Sequence, residues 1–378
     1  MAGNNEREER EKVVSKLPSW LRQDLKVRAA ELRMDIQDAV EAGIRAWLTA
    51  KTPPAEVDTS GAESFSTWLP PGLYDDDFKP ACASRGVSYV QGLAQAVSLW
   101  LDSNPSPRAA VRQVPRRKVV GNQKGGVGKT AVSAGIAAAY AESGENVLVV
   151  DYDPQGHLTN QLGVSPIIAG EDSLARHMSG EPLGHIRDLV VRLDGFGGRL
   201  HVLPACADGF LLDVKLSQVR AREAALERAL APLEDDYDVI IIDCPPSLGL
   251  AMDAGLYYGR RRDGERPRSS GVLIPVQAED SSADAFGMLM EQIADLQDDL
   301  QIQIDHLGIV VNLYDARRGF IATSSLSNWE KLGDPPVVAV IPDLKEQREA
   351  VRKHQPLLAY APKSEQAAVM RELAKEIA

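Results

Sequence analysis

The sequence predicts a doubly wound α/β domain with a mostly parallel sheet over residues 118–378, preceded by a small α-rich unit built from two repeats. Continuous apolar runs such as VLVV (147–150) and VIII (239–242), separated by helical stretches, mark strands covered on both faces. A glycine-rich loop, GNQKGGVGKT (121–130), stands between the first such strand and a helix. Upstream, residues 14–48 and 66–101 repeat one another in hydrophobic pattern.

Composition narrows the function classes. The 378 residues carry 42 Lys and Arg against 54 Asp and Glu, a formal charge of −12. The chain as a whole is repelled by nucleic acid and by anionic membrane, so any DNA contact has to come from local basic patches. With 44% hydrophobic and 25% charged residues, disorder throughout is excluded. No apolar run approaches the roughly 20 residues that span a bilayer. The N-terminus MAGNNEREEREK lacks the apolar core of a signal peptide, and the C-terminal RELAKEIA lacks a cationic amphipathic face. A cytoplasmic location without membrane attachment is expected. Cys82, Cys206 and Cys244 are widely spaced and form no CxxC pair, which argues against a disulfide framework and against a cysteine-based metal centre.

The expected organisation is repeat 1 over residues 1–51, repeat 2 over 63–102, a basic linker over 103–117 with three prolines and four arginines, and the α/β domain over 118–378. Each repeat reads as a strand ending in Leu-Pro, a helix, a break, and a second helix capped by Asp35 or Ser88. One extra residue in the second copy aligns Leu17-Pro18 with Leu69-Pro70 and Trp47-Leu48 with Trp100-Leu101. Ile36, Val40, Gly43, Ile44 and Trp47 share one helix face, as do Tyr89, Leu93, Val97 and Trp100. Neither copy is large enough to bury that face alone, so the two are expected to pair.

This pattern resembles the ribbon-helix-helix fold, in which two paired strands enter the DNA major groove. With Leu17 and Leu69 inward, alternation turns Lys12, Val14 and Lys16 outward on one strand and Ser64, Ser66 and Trp68 on the other. Lys12 and Lys16 are therefore DNA-contact candidates. Residues 10–50 carry eight basic and six acidic residues, whereas residues 63–102 carry two and five. The same pattern also fits a dimerisation or adaptor domain with solvated charges.

In the α/β domain, strands are expected near 118–121, 147–151, 200–203, 239–243, 272–276, 307–313 and 337–341. The first runs into the glycine-rich loop and a helix that Gly144 should stop. Gly125, Gly126 and Gly128 allow backbone N–H groups to approach phosphate oxygens, with Val127 and Ala131 completing the expected nucleotide-binding set. Lys129 supplies a point charge to the β/γ-phosphates, and the Thr130 hydroxyl can ligate Mg²⁺. Gln123 stands where a strict GxxxxGK[ST] motif has its first glycine. Lys124 is a second lysine beside Lys129, costly to hold there without phosphate.

NQKGGVGKT resembles the deviant Walker A loop of the ParA/MinD ATPases. The resemblance implies that Lys124 reaches the nucleotide of a partner protomer, making ATP binding and homodimerisation one event. VLVVDYDPQG (147–156) looks like the family's second motif, which implies that Asp151 holds the water shell of Mg²⁺ and Asp153 positions the attacking water. YDVIIIDCPPSLG (237–249) resembles Walker B, with Asp243 serving magnesium. GIVVNLYDARRGF (308–320) implies adenine recognition by Asn312 and places Arg317 at a position associated with DNA binding; a solvated loop charge fits Arg317 as well. IPDLKEQREAVRKHQPL (341–357) puts Glu346 where the family often has a DNA-binding arginine, with Lys345, Arg348, Arg352 and Lys353 crowding the same stretch. Ala131 departs from the usual second threonine, removing a hydroxyl. The arginine-rich insertion GRRRDGERPRSS (259–270) could clamp DNA phosphates or be solvated.

The resemblance implies a DNA-partitioning ATPase that uses ATP and Mg²⁺, binds DNA without sequence preference as an ATP dimer on the nucleoid, and is released when a ParB-like partner stimulates hydrolysis. The other reading is a cargo-positioning or regulatory ATPase with an adaptor at its N-terminus.

Overall fold

The computed structural model describes residues 10–50, 54–104, 114–279 and 281–378, and the chain divides into two units, Met1–Arg112 and Gln113–Ala378. Most of the expected linker 103–117 lies outside the described residues.

In the first unit, apolar-polar alternation makes Glu11–Leu17 a strand, β1, followed by helices α1 (Ser19–Glu31) and α2 (Ile36–Thr49). The second copy contributes β2 (Glu63–Leu69), a π-type segment Leu73–Phe78 that leads into the short helix α3 (Lys79–Ser84), and α4 (Tyr89–Ser103). The single helix expected after β2 is thus split. The wider winding, in which Asp77 N–H reaches back five residues to the Gly72 carbonyl, takes up the one extra residue of this copy. Asp35 occupies the N-cap of α2 without a side-chain capping bond, whereas Ser88 Oγ accepts from the Gln91 N–H at 3.1 Å and caps α4.

β1 and β2 pair antiparallel along their whole length, from Glu11 opposite Leu69 to Leu17 opposite Glu63. Val13, Leu17, Phe65 and Leu69 turn into a core shared with both copies, which buries the face neither could cover alone. Lys12, Val14, Lys16, Ser64, Ser66 and Trp68 stay exposed on the opposite side of the ribbon. α2 and α4 approach most closely at Gly43, where a Cβ would lie 2.5 Å from the Ala96 carbonyl oxygen. Trp47 stacks edge-on against Phe78 at 5.1 Å and donates its indole N–H to Gln95.

The second unit holds one sheet of eight strands: β3 (Arg116–Val120), β4 (Val147–Asp151), β5 (Val191–Arg192), β6 (Leu200–Leu203), β7 (Val239–Asp243), β8 (Gly271–Gln277), β9 (His306–Tyr314) and β10 (Val337–Pro342). Their order is β10-β9-β8-β3-β7-β4-β6-β5, parallel except for the edge pair β5–β6. β5 was not foreseen, since two exposed residues carry no periodicity. β3 begins at Arg116, two residues before the expected domain boundary. Arg117 and Lys118 are fully buried there, the first paired with Glu265 at 2.7 Å and the second donating to the carbonyls of Ser269 and Ile377. Charged residues buried inside the fold disguised the start of the strand.

Helix α5 (Lys129–Glu142) and the helix Glu365–Glu376 cover one face of the sheet, and Gly144, with φ 95°, closes α5. Among the described residues no helix is long and apolar enough to cross a membrane.

Candidate nucleotide site

The loop after β3 opens at the carboxyl edge of the sheet, where open α/β folds bind ligands. Gly126 and Gly128 adopt φ of 77° and 85°, which turns the loop so that α5 starts at Lys129. Asn122 is buried beneath it: its Oδ1 accepts from the Lys124 N–H at 3.0 Å and its Nδ2 donates to the Pro275 carbonyl at 2.7 Å. The Lys129 ammonium is nearly buried and donates to the Lys124 carbonyl at 3.1 Å, so the loop curls around its own lysine. Burial lowers the pKa of that ammonium, with Asp243 acting in the opposite direction.

Asp151 and Asp243 end the adjacent parallel strands β4 and β7 at the same register. Thr130 Oγ1 donates to Asp243 Oδ2 at 2.9 Å and Ser133 Oγ donates to Oδ1 at 2.8 Å. Asp151 Oδ2 accepts from both the N–H and the hydroxyl of Thr159, at 2.7 and 2.6 Å, while Oδ1 is buried without a partner. Burial, then the neighbouring Asp151 charge, pushes the Asp243 carboxyl up to about 7, and burial pushes Asp151 up to about 6. Two buried carboxyls beside a hydroxyl are a costly arrangement for the protein alone and a suitable one around a divalent cation, whose charge reverses both shifts.

Among the described residues no three His, Cys, Asp or Glu side chains gather into a metal site. Magnesium keeps several waters and takes few protein ligands beside substrate phosphates. The orphaned Asp151 Oδ1, the Thr130 hydroxyl and the Lys129 ammonium in its glycine-turned loop fit a magnesium nucleotide.

Asp153 is half-buried at the same edge, its Oδ1 accepting from the Gln155 N–H at 3.0 Å. Lys124 extends toward Ser282 Oγ at 3.2 Å and Glu279 Oε2 at 3.5 Å. Gly125 and Gly126 are exposed at the mouth of the loop, Val127 is buried, and Ala131 is half-buried in the first turn of α5. Asn312, expected to contact adenine, is 3% exposed and donates instead to the Val127 carbonyl at 2.9 Å. Its amide is committed to shaping the loop from below. Ser133 and Thr159 were missed by sequence reasoning. Ser133, one helical turn after Thr130 and on its face, carried a usable signal; Thr159 carried none.

The DNA-contact candidates do not gather with the nucleotide residues. Arg317 is exposed and forms a fork with Asp315, Arg348 pairs with Asp343, Lys345 lies 3.9 Å from Glu349, and Arg352 is exposed. In the arginine-rich insertion Arg266 and Arg268 are exposed, whereas the other three arginines are paired. Arg260 pairs with Glu227, Arg261 with Asp305, and Arg262 with Glu234 and Glu227, at 2.6–3.0 Å. Acidic side chains from distant parts of the chain have drawn these three arginines inward.

Residues 116–306 match the AAA_31 family, an AAA domain. The chain is 32% identical to the sporulation initiation inhibitor protein Soj of Bacillus subtilis over 262 residues, which are 68% of this chain and 96% of that protein. It is 33% identical to the chromosome-partitioning ATPase Soj of Thermus thermophilus over 268 residues, 71% of this chain and 97% of that one. Among solved structures, cobyrinic acid a,c-diamide synthase from Mycobacterium smegmatis with bound ATP analogue and magnesium is similar, with TM-score 0.55 and 34% identity over 69% of this chain and 93% of the other.

Proposed function

The chain belongs to the ParA/MinD superfamily of partitioning ATPases, and on that premise we propose that it segregates DNA by an ATP-gated cycle of pairing and release. ATP is its substrate and magnesium its cofactor. Magnesium would supply charge neutralisation at the phosphates, and Thr130, Asp151 and Asp243 are the residues that would hold it.

Lys129 and the loop N–H groups bind and orient the triphosphate. The Thr130 hydroxyl and the Asp151 and Asp243 carboxyls would hold the metal at the ends of β4 and β7. Asp153 orients the attacking water at the carboxyl edge of β4. Such a site works by positioning and electrostatics and has no strong general base, so slow intrinsic turnover is expected. In the proposed cycle Lys124 completes the site of a second protomer. The observation that carries the reading is the division of labour between the two lysines: Lys129 is nearly buried within its own loop, whereas the partly exposed Lys124 side chain extends away toward Ser282.

We further propose that the paired protomers bind DNA without sequence preference and that a ParB-like protein stimulates hydrolysis. The N-terminal unit would add operator recognition through its ribbon. Support comes from the antiparallel register and from Lys12, Val14 and Lys16 lying on the face opposite the core. The test is binding of the full chain to random duplex and to its own upstream region, with and without ATP. ATP-dependent, salt-sensitive binding to both, with a preference for the upstream region lost in Lys12→Ala/Lys16→Ala, supports the reading. Absence of any ATP-dependent shift at low salt moves the assignment to a cargo-positioning ATPase with an N-terminal adaptor.

A further inference from the structure

β9 and β10 are neighbouring parallel strands that end together, with Tyr314 opposite Pro342. An aspartate follows each of these residues directly. Asp315 and Asp343 are mostly buried, and the Asp343 N–H donates to the Tyr314 carbonyl at 2.9 Å, which ties the two strand ends together. Each aspartate holds an exposed arginine. Arg317 donates from Nε to Asp315 Oδ1 at 2.8 Å and from Nη2 to Oδ2 at 3.1 Å, a two-pronged fork. Arg348 donates to Asp343 through Nη2 alone, a single-pronged bond to Oδ1.

Both guanidinium groups lie largely in solvent, with side chains 84% and 66% exposed, whereas their carboxylates are 19% and 17% exposed. Ordinary surface ion pairs join two long, mobile side chains and contribute little. Here the acids are short, rooted at the ends of strands, and the arginines are presented outward. A guanidinium fork matches a phosphate as well as it matches a carboxylate. Three residues beyond Arg317, Phe320 is 84% exposed, an apolar side chain that packs on little of its own fold and can lie against sugar or base.

We propose that Asp315 and Asp343 are built-in stand-ins for DNA phosphates: they hold Arg317 and Arg348 extended and neutralised until a duplex displaces them, and so set the affinity for DNA. This rests on the DNA-binding reading above and adds the residues that restrain it. Each pair is balanced when empty, one arginine against one aspartate, and turns cationic only toward a ligand that can take over both guanidinium groups. A phosphodiester backbone, with its regular array of singly charged phosphates, is such a ligand.

The experiment measures fluorescence anisotropy of a labelled random-sequence duplex against the full chain with ATP and Mg²⁺, across a range of salt. The proteins are wild type, Asp315→Asn/Asp343→Asn, Arg317→Ala/Arg348→Ala, and a charge-matched control, Asp298→Asn/Asp299→Asn. Asparagine at 315 can still accept the Arg317 backbone N–H, so the turn survives while the charge is lost. The expected result is about tenfold tighter binding by the first double variant at low salt, a gain that shrinks as salt rises, with the arginine variant weakened. Equal tightening in the charge-matched control would overturn the proposal, as would unchanged affinity in the aspartate variant while loss of the arginines weakens binding; in that case DNA binding stands and the restraint falls. Failure of every protein, the aspartate variant included, to bind duplex overturns both. A gain seen only on vesicles of equal parts phosphatidylglycerol and phosphatidylcholine overturns the assignment of the partner as DNA.

Discussion

The Asn312 amide nitrogen sits 2.9 Å from the Val127 carbonyl oxygen and 1.9 Å from where a Cβ on Gly128 would stand. A strand-end side chain from β9 thus sets the shape of the phosphate loop, and the glycine next to that carbonyl is there for space as well as for its φ of 85°. Gly128→Ala is expected to abolish ATP binding, since both the contact and the backbone angle reject a methyl group. Asn312→Ala is expected to weaken ATP binding about tenfold, through one lost hydrogen bond to a loop that must be held in place. Titration calorimetry with a non-hydrolysable ATP analogue measures both. An unchanged affinity in Asn312→Ala would show that the loop keeps its shape without this support.

Arg262 lies between Glu234 and Glu227, with its two terminal nitrogens 2.8 Å from the Glu234 oxygens. Removing it leaves the partly buried Glu234 carboxylate without its cation, while Glu227 keeps Arg260. Arg262→Ala is expected to cost about 2 kcal/mol of stability, between the values of exposed and buried pairs. Thermal unfolding should register the loss, while affinity for duplex should stay at the wild-type level. A variant with unaltered melting and weakened DNA binding would restore the insertion as a clamp.

Lys118 is buried at the start of β3, and its ammonium donates to the carbonyl of Ser269 at 2.7 Å and to that of Ile377. Burial, and then the charges of Arg116 and Arg117, lower its pKa to about 7. In the unfolded chain the lysine keeps its proton to about 10.4. Between those values the unfolded state binds more protons, so this residue makes stability rise with pH, and below about 7 the cost of its buried charge is present in full. The melting temperature of wild type relative to Lys118→Met should therefore climb from pH 7 to 10. Parallel curves for the two proteins would mean that the amine stays charged in the fold throughout.

What could be read ahead of the structure was what depends on local chemistry. The loop from Gly125 to Thr130 needs its residues at fixed spacing, and Asp151 and Asp243 announce themselves by ending apolar runs. The ribbon's outward residues followed from strand alternation alone, because β1 and β2 pair without a bulge. Long-range pairing was illegible. The partners of Arg260, Arg261 and Arg262 lie between 28 and 44 residues away in sequence, so a run of arginines read as free charge. The Asn312 hydrogen bond was hidden for the same reason: its acceptor is a carbonyl 185 residues earlier. The π-type turn at Leu73–Phe78 was visible only as an extra residue in an alignment of two repeats.

The central claim is that Lys124 couples ATP to pairing of protomers, and sedimentation velocity tests it most directly. In an Asp153→Ala chain, where hydrolysis is expected to be blocked, ATP and Mg²⁺ should convert the protein to a dimer. Adding Lys124→Ala should return it to a monomer that still binds ATP through Lys129. A dimer that persists in the double variant would contradict the account.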